Sequence, residues 1–273
     1  MKKSIIALFI LSILTGCQKA TLEKTNERVK KVDFHVVQKQ SMTRAALEDA
    51  CTVLDYFRVT DSEVTVFLTQ RSEEDVFGYV SDELPYGTHD IYFVGHKSEV
   101  TDFADGVATF GKVTDTFSYY TTIEVGEDTE DTKQIELLRN VAKLELVAAD
   151  ALPSNIHSVE FIITGASTDL NVKTGLGDSV STQTKTIQVP ETNAGKTGCV
   201  FSAYVFLLAK ESSISFTFTA KDTEGNIIVS HLFEDVDMET NYISRITGKV
   251  FGDDFGFQIT ASTEWDGTID YEF

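Results

Sequence analysis

The 273-residue chain has little cysteine, little proline and a shortage of positive charge. Its three cysteines are Cys17, Cys51 and Cys199, and no pair of them has the Cys-x-x-Cys spacing of a redox or zinc site. A disulfide between Cys51 and Cys199 is compatible with an exported protein, but their wide separation favours two buried free thiols. The composition therefore points away from a disulfide-stapled or zinc-ribbon fold.

The shortage of Lys and Arg restricts the partners of the chain. There are 23 basic against 43 acidic residues, which gives a formal net charge of -20. Removal of Lys2 and Lys3 with an N-terminal signal would bring this charge to -22. A surface of this sign repels nucleic acid and anionic lipid, so neither is predicted as a partner.

The motifs of common enzymes are also missing. The chain contains no Gly-x-Ser-x-Gly and no His-Glu-x-x-His. The stretch NAGKTG (193–198) has Pro190 where a phosphate-binding loop needs glycine, and a strand is predicted after it, so it indicates a hairpin loop. His89 and His96 fall on opposite faces of one predicted strand and cannot share a metal ion. We therefore predict no enzyme activity and no cofactor.

The N-terminus contains an apolar run, residues 5–14, behind two lysines. Ten residues cannot span a bilayer, which needs about 20, but they match the apolar core of a secretory signal. The run ends in Leu14-Thr15-Gly16-Cys17, which resembles the bacterial lipobox, although an ordinary signal with a chance cysteine is the alternative. The lipobox interpretation makes Cys17 a lipidated first mature residue that holds the protein in a membrane. Because Gln18 replaces the aspartate of inner-membrane retention, we expect the outer membrane.

The rest of the chain is rich in Thr, Val, Ile, Phe and Tyr, which favours strands. Alternating segments recur about every 10 to 15 residues between turn residues, as in antiparallel sandwiches. Residues 32–37 form a candidate first strand, and for residues 44–57 the apolar spacing does not decide between a helix and a strand. Further strands are predicted at 64–68, 91–94, 107–110, 117–125, 141–148, 159–163, 186–189, 200–208, 214–218, 227–229, 242–251 and 255–262.

The acidic run 126–131 interrupts the strand pattern and suggests a boundary. We predict an all-β chain of two antiparallel β-sandwich domains of the transthyretin-like type, in tandem. The predicted segments are a lipoprotein signal peptide (1–16), a lipidated polar leader (17–44), an N-terminal β-sandwich domain (45–132) and a C-terminal β-sandwich domain (133–273).

The order of several short segments resembles the Bacteroidales fimbrillin-like family, whose members build or anchor type V pili. SMTRAAL precedes the first domain, and LPYGTHDIYFVGH and DTFSYYTTIEV lie within it. LRNVAKLEL, LPSNIHSVEFIITG, SFTFTAKDTEGNII, NYISRITGKVF and TEWDGTIDYEF follow in the second. Among members of that family, the short chain is most similar to the lipid-held anchor or minor subunits (FimB-type).

The resemblance implies a mechanism of assembly. In stalk subunits of the family an Arg-specific protease removes an N-terminal strand, and a terminal strand of a neighbour fills the groove by β-strand addition. Anchor subunits are expected to escape this cleavage and keep their lipid. In this chain Arg44 is the preferred candidate for cleavage, and Arg28 and Arg58 are the next candidates. The alternative for Arg44 is that it is only a charged residue of the linker.

The C-terminus alternates apolar and acidic residues. Trp265, Ile269, Tyr271 and Phe273 would share one face of an extended chain, and Asp266, Asp270 and Glu272 the other. Such a strand would either complete its own sheet or enter the groove of a neighbour. These four apolar residues are therefore the candidate donor-strand face.

These patterns predict a structural fimbrial subunit, anchored to the membrane through lipid on Cys17 and joined to other fimbrial subunits by strand addition. The alternative is a surface lipoprotein that binds glycans through two β-sandwich modules. Such modules usually present aromatic rings at exposed loops, and here Trp265 is the only tryptophan and Tyr119-Tyr120 the only tyrosine pair, which weakens this alternative.

Overall fold

The computed structural model describes residues 28–38, 44–252 and 256–264. These residues form nineteen strands, one α-helix and a short 3-10 helix at Glu191–Asn193. The helix α1 spans Arg44–Ala50. The strands are β1 Val29–Gln38, β2 Val53–Thr60, β3 Glu63–Arg71, β4 Tyr79–Pro85, β5 Gly87–His96, β6 Val100–Ala104, β7 Val107–Phe110, β8 Phe117–Val125, β9 Thr132–Arg139, β10 Val141–Ala148, β11 Ser158–Ala166, β12 Asp169–Asn171, β13 Leu176–Gly177, β14 Ser181–Gln188, β15 Cys199–Phe206, β16 Glu211–Lys221, β17 Ile227–Glu239, β18 Tyr242–Lys249 and β19 Gly256–Glu264.

The first sandwich is one sheet of seven strands folded over on itself. Its order is β3-β2-β5-β8-β9-β1-β4. Strands β8 and β9 pair at only two positions, Phe117 with Arg139 and Ser118 with Leu138, and the sheet turns there into two layers. The inward side chains of both layers form one core, which includes Phe34, Tyr56 and Phe93.

The second sandwich consists of two four-stranded sheets, β15-β10-β18-β19 and β14-β11-β16-β17. Alternate residues of these strands point inward, as the two-residue period of a strand requires. Leu144 and Leu146 of β10 meet Phe161 of β11 and Phe218 of β16 in a single core. Each sheet thus contributes one face to a closed apolar layer.

A fourth sheet joins the two sandwiches. Its order is β13-β12-β7-β6, so two of its strands come from each half of the chain. Thr109 and Ala108 of β7 pair with Asp169 and Leu170 of β12. A third apolar cluster lies beside this sheet, and there the rings of Phe110 and Phe206 are 5.3 Å apart. The sandwiches therefore share a core and a backbone ladder, which we call the joint.

The predicted all-β fold of tandem β-sandwiches is confirmed, and the predicted bounds of β7, β8 and β10 coincide with the structure. Each sandwich also contains one parallel pair, β1 with β9 and β10 with β18. The ambiguous segment after residue 44 divides into helix α1 and strand β2. NAGKTG lies in a loop between β14 and β15, but the predicted hairpin is wrong, because these two strands belong to different sheets and the loop crosses between them.

The division into domains after residue 132 stays a prediction, but the strands suggest another position. Strand β9 begins at Thr132 and pairs with β1 and β8 of the first sandwich. The acidic run 126–131 is therefore a connection within that sandwich. A division at Asn140, between β9 and β10, would keep each sandwich whole. Strand β1 likewise belongs to the first sandwich, although it falls within the predicted leader 17–44.

Candidate functional site

The candidate site is the place in the first sandwich that β1 occupies, which we call the β1 slot. Strand β1 runs antiparallel to β4 on one side, where Phe34 pairs with Val80. It runs parallel to β9 on the other side, where Val36 pairs with Ile135. Because both of its edges are hydrogen-bonded to neighbours, β1 is an interior strand, and its removal would leave two unpaired strand edges facing one another.

The inward face of β1 is apolar and deeply buried. Val32 and Phe34 are 0% exposed and Val36 is 3% exposed. The ring of Phe34 lies 5.5 Å from that of Phe93 and 5.8 Å from that of Tyr56, both on the opposite layer. Full burial of one such side chain contributes about 1.5–3 kcal/mol. The slot is thus a groove shaped for three alternating apolar side chains.

The outward face of β1 is polar and its contacts are weak. Lys30, at the start of β1, lies on the same side as Val32, and its ammonium is 2.6 Å from the Asp131 carboxylate, a hydrogen bond that raises the pKa of Lys30. A hydrogen bond from Ser81 lowers the pKa of Asp33. The ring of His35 packs edge-on against Tyr79 at 4.6 Å. Exposed ion pairs of this kind contribute little, so the buried face holds β1 in place.

A buried polar group closes the side of the slot formed by β4. The Tyr56 hydroxyl donates a 2.7 Å hydrogen bond to Asp82. The Arg58 guanidinium donates to both oxygens of the same carboxylate at 3.0 and 3.1 Å and to the Glu83 carbonyl. Burial, followed by the Asp82 charge, raises the pKa of Tyr56. These bonds fix β4 to β2 across the sandwich independently of β1.

Helix α1 covers the end of the slot. Leu47 is buried against the core, and the Cys51 thiol donates to the Leu47 carbonyl at 3.5 Å. Burial raises the pKa of Cys51 to about 12, so the thiol is protonated and unreactive at neutral pH. Cys51 and Cys199 are both free, as predicted, but Cys199 is only partly buried.

The structure locates the three candidate processing sites differently. Arg44 is the first residue of α1, so the peptide bond after it lies at the start of a helix. Arg28 is exposed and forms an ion pair with Glu127 at 3.4 Å, but it precedes β1, so cleavage there would leave the slot filled. Arg58 is buried within β2 and bound to Asp82. Of the three, only a cut after Arg44 would separate β1 from the rest of the fold.

Two sets of predicted site residues lie outside the described residues. One is Cys17, the lipidation site. The other is the donor-strand face Trp265, Ile269, Tyr271 and Phe273, which follows the last described strand, β19. Both therefore remain predictions from sequence.

The histidines that were considered as metal ligands have separate partners. The Thr60 hydroxyl donates to Nδ1 of His89 at 2.7 Å, and Nε2 of His89 donates to the Pro85 carbonyl. Nε2 of His96 lies 2.9 Å from the buried Asp55 carboxylate. Within the described ranges, no group of three or more His, Cys, Asp or Glu side chains is placed to hold a metal ion.

The tyrosine pair does not form an exposed platform. Tyr119 packs against the core of the first sandwich, while Tyr120 faces the joint on the other side of β8. The Tyr120 hydroxyl and the Lys173 ammonium both donate to Asp90, at 3.0 and 3.1 Å, and the ammonium lies over the Tyr120 ring at 5.1 Å. This contact ties the two sandwiches together. Tyr92 beside it is only 1% exposed and offers no ring face to a sugar.

Sequence patterns did not reveal the β1 slot or the Asp90–Lys173 tie. Asp90 and Lys173 are 83 residues apart, and β1 pairs with segments 50 and 100 residues away. The alternation of Val32, Phe34 and Val36 was the available signal, since it indicates a strand with one buried face.

None of the helices in the described part of the chain is long and apolar enough to cross a bilayer.

Comparison with known proteins gives two family matches. A model described as a family of unknown function (DUF6562) matches residues 82–273. A model of the prokaryotic membrane lipoprotein lipid attachment site matches residues 1–18, which include Cys17. Curated proteins give no significant match.

Solved structures similar to the chain include adhesin candidates, fimbrial proteins and a polysaccharide-binding candidate from Bacteroides thetaiotaomicron. One is an adhesin candidate from Bacteroides ovatus, with 12% identity, a TM-score of 0.54 and coverage of 82% of this chain and 88% of that one. Another is the fimbrial anchor protein Mfa2 from Porphyromonas gingivalis, with 9% identity, a TM-score of 0.45 and coverage of 85% and 95%. The likeness to the first of these structures, with 12% identity and a TM-score of 0.54, establishes a shared fold and nothing more.

Proposed function

The chain belongs to the family of unknown function DUF6562, and we propose that it is a lipid-anchored structural subunit of a surface fimbrium, of the anchor or minor type. The observation that carries this proposal is the position of β1. Eleven residues, 18–28, separate this interior strand of the first sandwich from Cys17. The outer membrane is the proposed location.

The short connection between Cys17 and β1 links the lipid anchor directly to the folded core. Residues 18–28 can span at most about 40 Å when fully extended. While the chain is intact, the lipid on Cys17 is therefore attached to a strand that is buried in the core. Pulling on the lipid loads the sheet along β1, which is held on both edges by hydrogen bonds and by Phe34 in the core.

A single cut after Arg44 would change the subunit from a membrane anchor into a subunit that can accept a strand from a neighbour. The intact chain keeps both its lipid and a filled slot, which suits an anchor. Cleavage after Arg44 would release the lipid together with β1 and leave a groove with two free edges. Such a groove would accept a strand from another subunit by β-strand addition. The partners proposed here are other fimbrial subunits.

The proposed donor is the C-terminal segment that begins at Trp265. Its apolar residues recur at every second position, which is the spacing of the inward residues Val32, Phe34 and Val36 in β1. In this proposal the intact subunit donates its tail to a processed subunit, while its own slot stays filled. A glycan-binding role is the alternative, and the buried Tyr92 and the divided pair Tyr119 and Tyr120 weigh against it.

Mass spectrometry of the mature N-terminus on cells tests the proposal. We expect a diacylglyceryl-modified Cys17 at the N-terminus of membrane-bound protein, and release of the protein from membranes by Cys17→Ser. Cys199→Ser is the matched control and should leave the protein in the membrane fraction. Membrane retention of the Cys17→Ser variant would reject the anchor. Glycan binding without association with fimbrial subunits would favour the alternative.

A further inference from the structure

Strand β3 has a free and mostly apolar edge. It lies at the end of the seven-stranded sheet and pairs with β2, and no other strand in the described part of the chain lies along its second edge. All of its residues between the terminal Glu63 and Arg71 are uncharged. The side chains of Val64, Phe67 and Leu68 are 44%, 59% and 39% exposed. An apolar edge of this length is a template for pairing with another strand.

Other edge strands of the molecule carry features that discourage such pairing. Strand β4 contains Asp82 and Glu83 and ends at Pro85. Strands β6 and β13 have only five and two residues, and the second half of β17 is acidic and interrupted by a shift of register. Strand β3 also has a shift of register, opposite Arg58 and Val59, but its residues 66–71 pair regularly with β2. The edge of β3 is therefore the less protected one.

Phe67 extends a stack of aromatic rings to this free edge. Its ring lies 4.8 Å from that of Phe57 on β2, at an angle of 10°. The ring of Phe57 in turn lies 3.8 Å from that of Phe103 on β6, at an angle of 8°. The row thus runs from the joint to the edge of the sheet, where Phe67 is exposed. An exposed aromatic ring that is packed from behind is a typical anchor of a protein interface.

The two charged residues of β3 stand at opposite ends of the strand. Glu63 is the first residue and Arg71 the last, and both are exposed. Neither side chain forms an ion pair with another residue of the described ranges. When two copies of one strand pair antiparallel, the first residue of each approaches the last residue of the other. A second β3 therefore supplies the opposite charge at both ends.

We infer that the free edge of β3 is a contact between two copies of this chain, in which the two β3 strands pair antiparallel around a two-fold axis at Phe67. In this register Phe67 faces its own counterpart, and Val66 faces Leu68 of the second copy. Residues directly opposite one another in an antiparallel pair are about 4.5–5.5 Å apart, so the aromatic row continues across the axis. Glu63 and Arg71 form two equivalent ion pairs, as a self-complementary contact requires.

The contact is independent of the proposed fimbrial role. Strand β3 belongs to the layer β3-β2-β5-β8, whereas β1 lies in the other layer between β9 and β4. Pairing at β3 therefore needs neither cleavage after Arg44 nor an empty β1 slot. Because a single pair of strands buries a small area, we expect a weak dimer that forms as the concentration of the chain rises.

Sedimentation velocity of the full chain over a concentration series tests the contact. The detergent is kept in large excess, so that two lipidated copies share a micelle only if they pair. We expect reversible dimers for the original chain and monomers for Phe67→Thr, which removes the aromatic anchor. Leu232→Thr is the matched control, because Leu232 is 60% exposed on the edge strand β17 and its loss should leave the dimer unchanged.

Reversal of the end charges tests the register. Glu63→Arg and Arg71→Glu should each weaken the dimer about tenfold, because like charges then meet at both ends of the contact. The variant with both changes should dimerise like the original chain, and so should an equimolar mixture of the two single variants. A structural role of either residue within one copy would give no such rescue.

Three results would overturn the inference. The first is a chain that stays monomeric up to millimolar concentration. The second is an equal effect of Phe67→Thr and Leu232→Thr, and the third is a failure of the double charge reversal to restore the dimer. A monomeric chain that instead binds a peptide of residues 265–273, and loses it in Phe67→Thr, would assign the edge to the C-terminal segment and reject the second copy.

Discussion

Strands β1 and β10 occupy matching positions in the two sandwiches. Each lies between an antiparallel and a parallel neighbour, in the orders β4-β1-β9 and β15-β10-β18. Their connections to the chain differ. A single residue, Asn140, separates β10 from β9, whereas β1 comes first in the described chain and is followed by residues 39–43 before α1. The same position in the fold is thus joined to the preceding strand by one residue in one sandwich and, in the other, would be detachable if the chain were cut after Arg44 as proposed.

The two strands also differ in how deeply their side chains are buried. In β10 both faces are largely covered, since Leu144 and Leu146 point into the core and the outward Glu145 is 6% exposed. In β1 only the inward residues are fully covered, and Lys31 and His35 face solvent. A strand buried on one face costs less to remove than one buried on both. On this ground we expect the removal of β1 to cost less free energy than the removal of β10.

Truncation of the largest inward side chains should give the largest difference. Phe34→Ala in β1 and Leu144→Ala in β10 should each cost about 2–5 kcal/mol of buried contact. We expect Leu144→Ala to lower the free energy of global unfolding, and Phe34→Ala mainly to speed hydrogen exchange of the β1, β4 and β9 amides. Native-state hydrogen exchange measures both effects. If the β1 and β10 amides responded equally to both variants, β1 would not be separately detachable.

A smaller effect is expected where β4 is fixed independently of β1. Tyr56→Phe removes the hydrogen bond to Asp82, and bonds to charged groups contribute about 1.5–3 kcal/mol. Urea unfolding should show this loss, because the carboxylate stays buried with one donor fewer. Tyr119→Phe is the matched control, since its hydroxyl makes no hydrogen bond within the described ranges, and its stability should be unchanged. Equal losses in the two variants would contradict the role of Asp82.

Acid should destabilise the second sandwich through protonation of Glu145. Burial opposes its charge, but hydrogen bonds from Lys143 and Arg245 outweigh this and lower its pKa. A carboxyl with a lowered pKa in the folded state stabilises above its unfolded pKa of about 4.3, and that contribution is lost as the pH falls through the folded value. Urea unfolding at pH 6 and at pH 3 should therefore show a smaller acid-induced loss in Glu145→Gln. An unchanged loss would exclude this pair as its source.

The smallest effect is expected at the joint. Lys173 is partly exposed, and its ion pair with Asp90 at 3.1 Å should contribute less than about 1 kcal/mol. Lys173→Met retains the alkyl contact with Tyr120 and should lower the melting temperature only slightly, because the ladder of β7 with β12 remains. Two separate melting transitions in this variant would show that the tie, and not the ladder, unites the sandwiches.

Local patterns were enough to predict most strands but not how they pair. Residues 107–110, 117–125 and 141–148 show alternation and β-branched or aromatic residues, and their bounds were predicted correctly. Strands β4, β6 and β9 were missed because charged residues interrupt their apolar alternation, and β12 and β13 because they have only three and two residues. Strand β17 was predicted only at 227–229, since its later acidic residues lie on an edge exposed to solvent.

The candidate site depends on contacts that local sequence does not encode. The helix at 44–50 is followed closely by the strand at 53–60. Neither the helical nor the strand spacing of apolar residues could therefore fit the whole segment. The apolar alternation of β1 indicated a buried face, but nothing local indicated that it lies between β4 and β9. The Asp90–Lys173 tie also arises only when distant parts of the chain meet.

Displacement of β1 by the C-terminal segment tests the central claim most directly. The intact chain is cut between residues 38 and 45 at an inserted protease site, and a peptide of residues 265–273 is added under native conditions. Native mass spectrometry should show the peptide replacing the β1 fragment in the cut chain, and no binding to the uncut chain. A peptide with Ile269→Asp and Tyr271→Asp should fail. Retention of the β1 fragment against excess peptide, or equal binding to cut and uncut chains, would contradict the account.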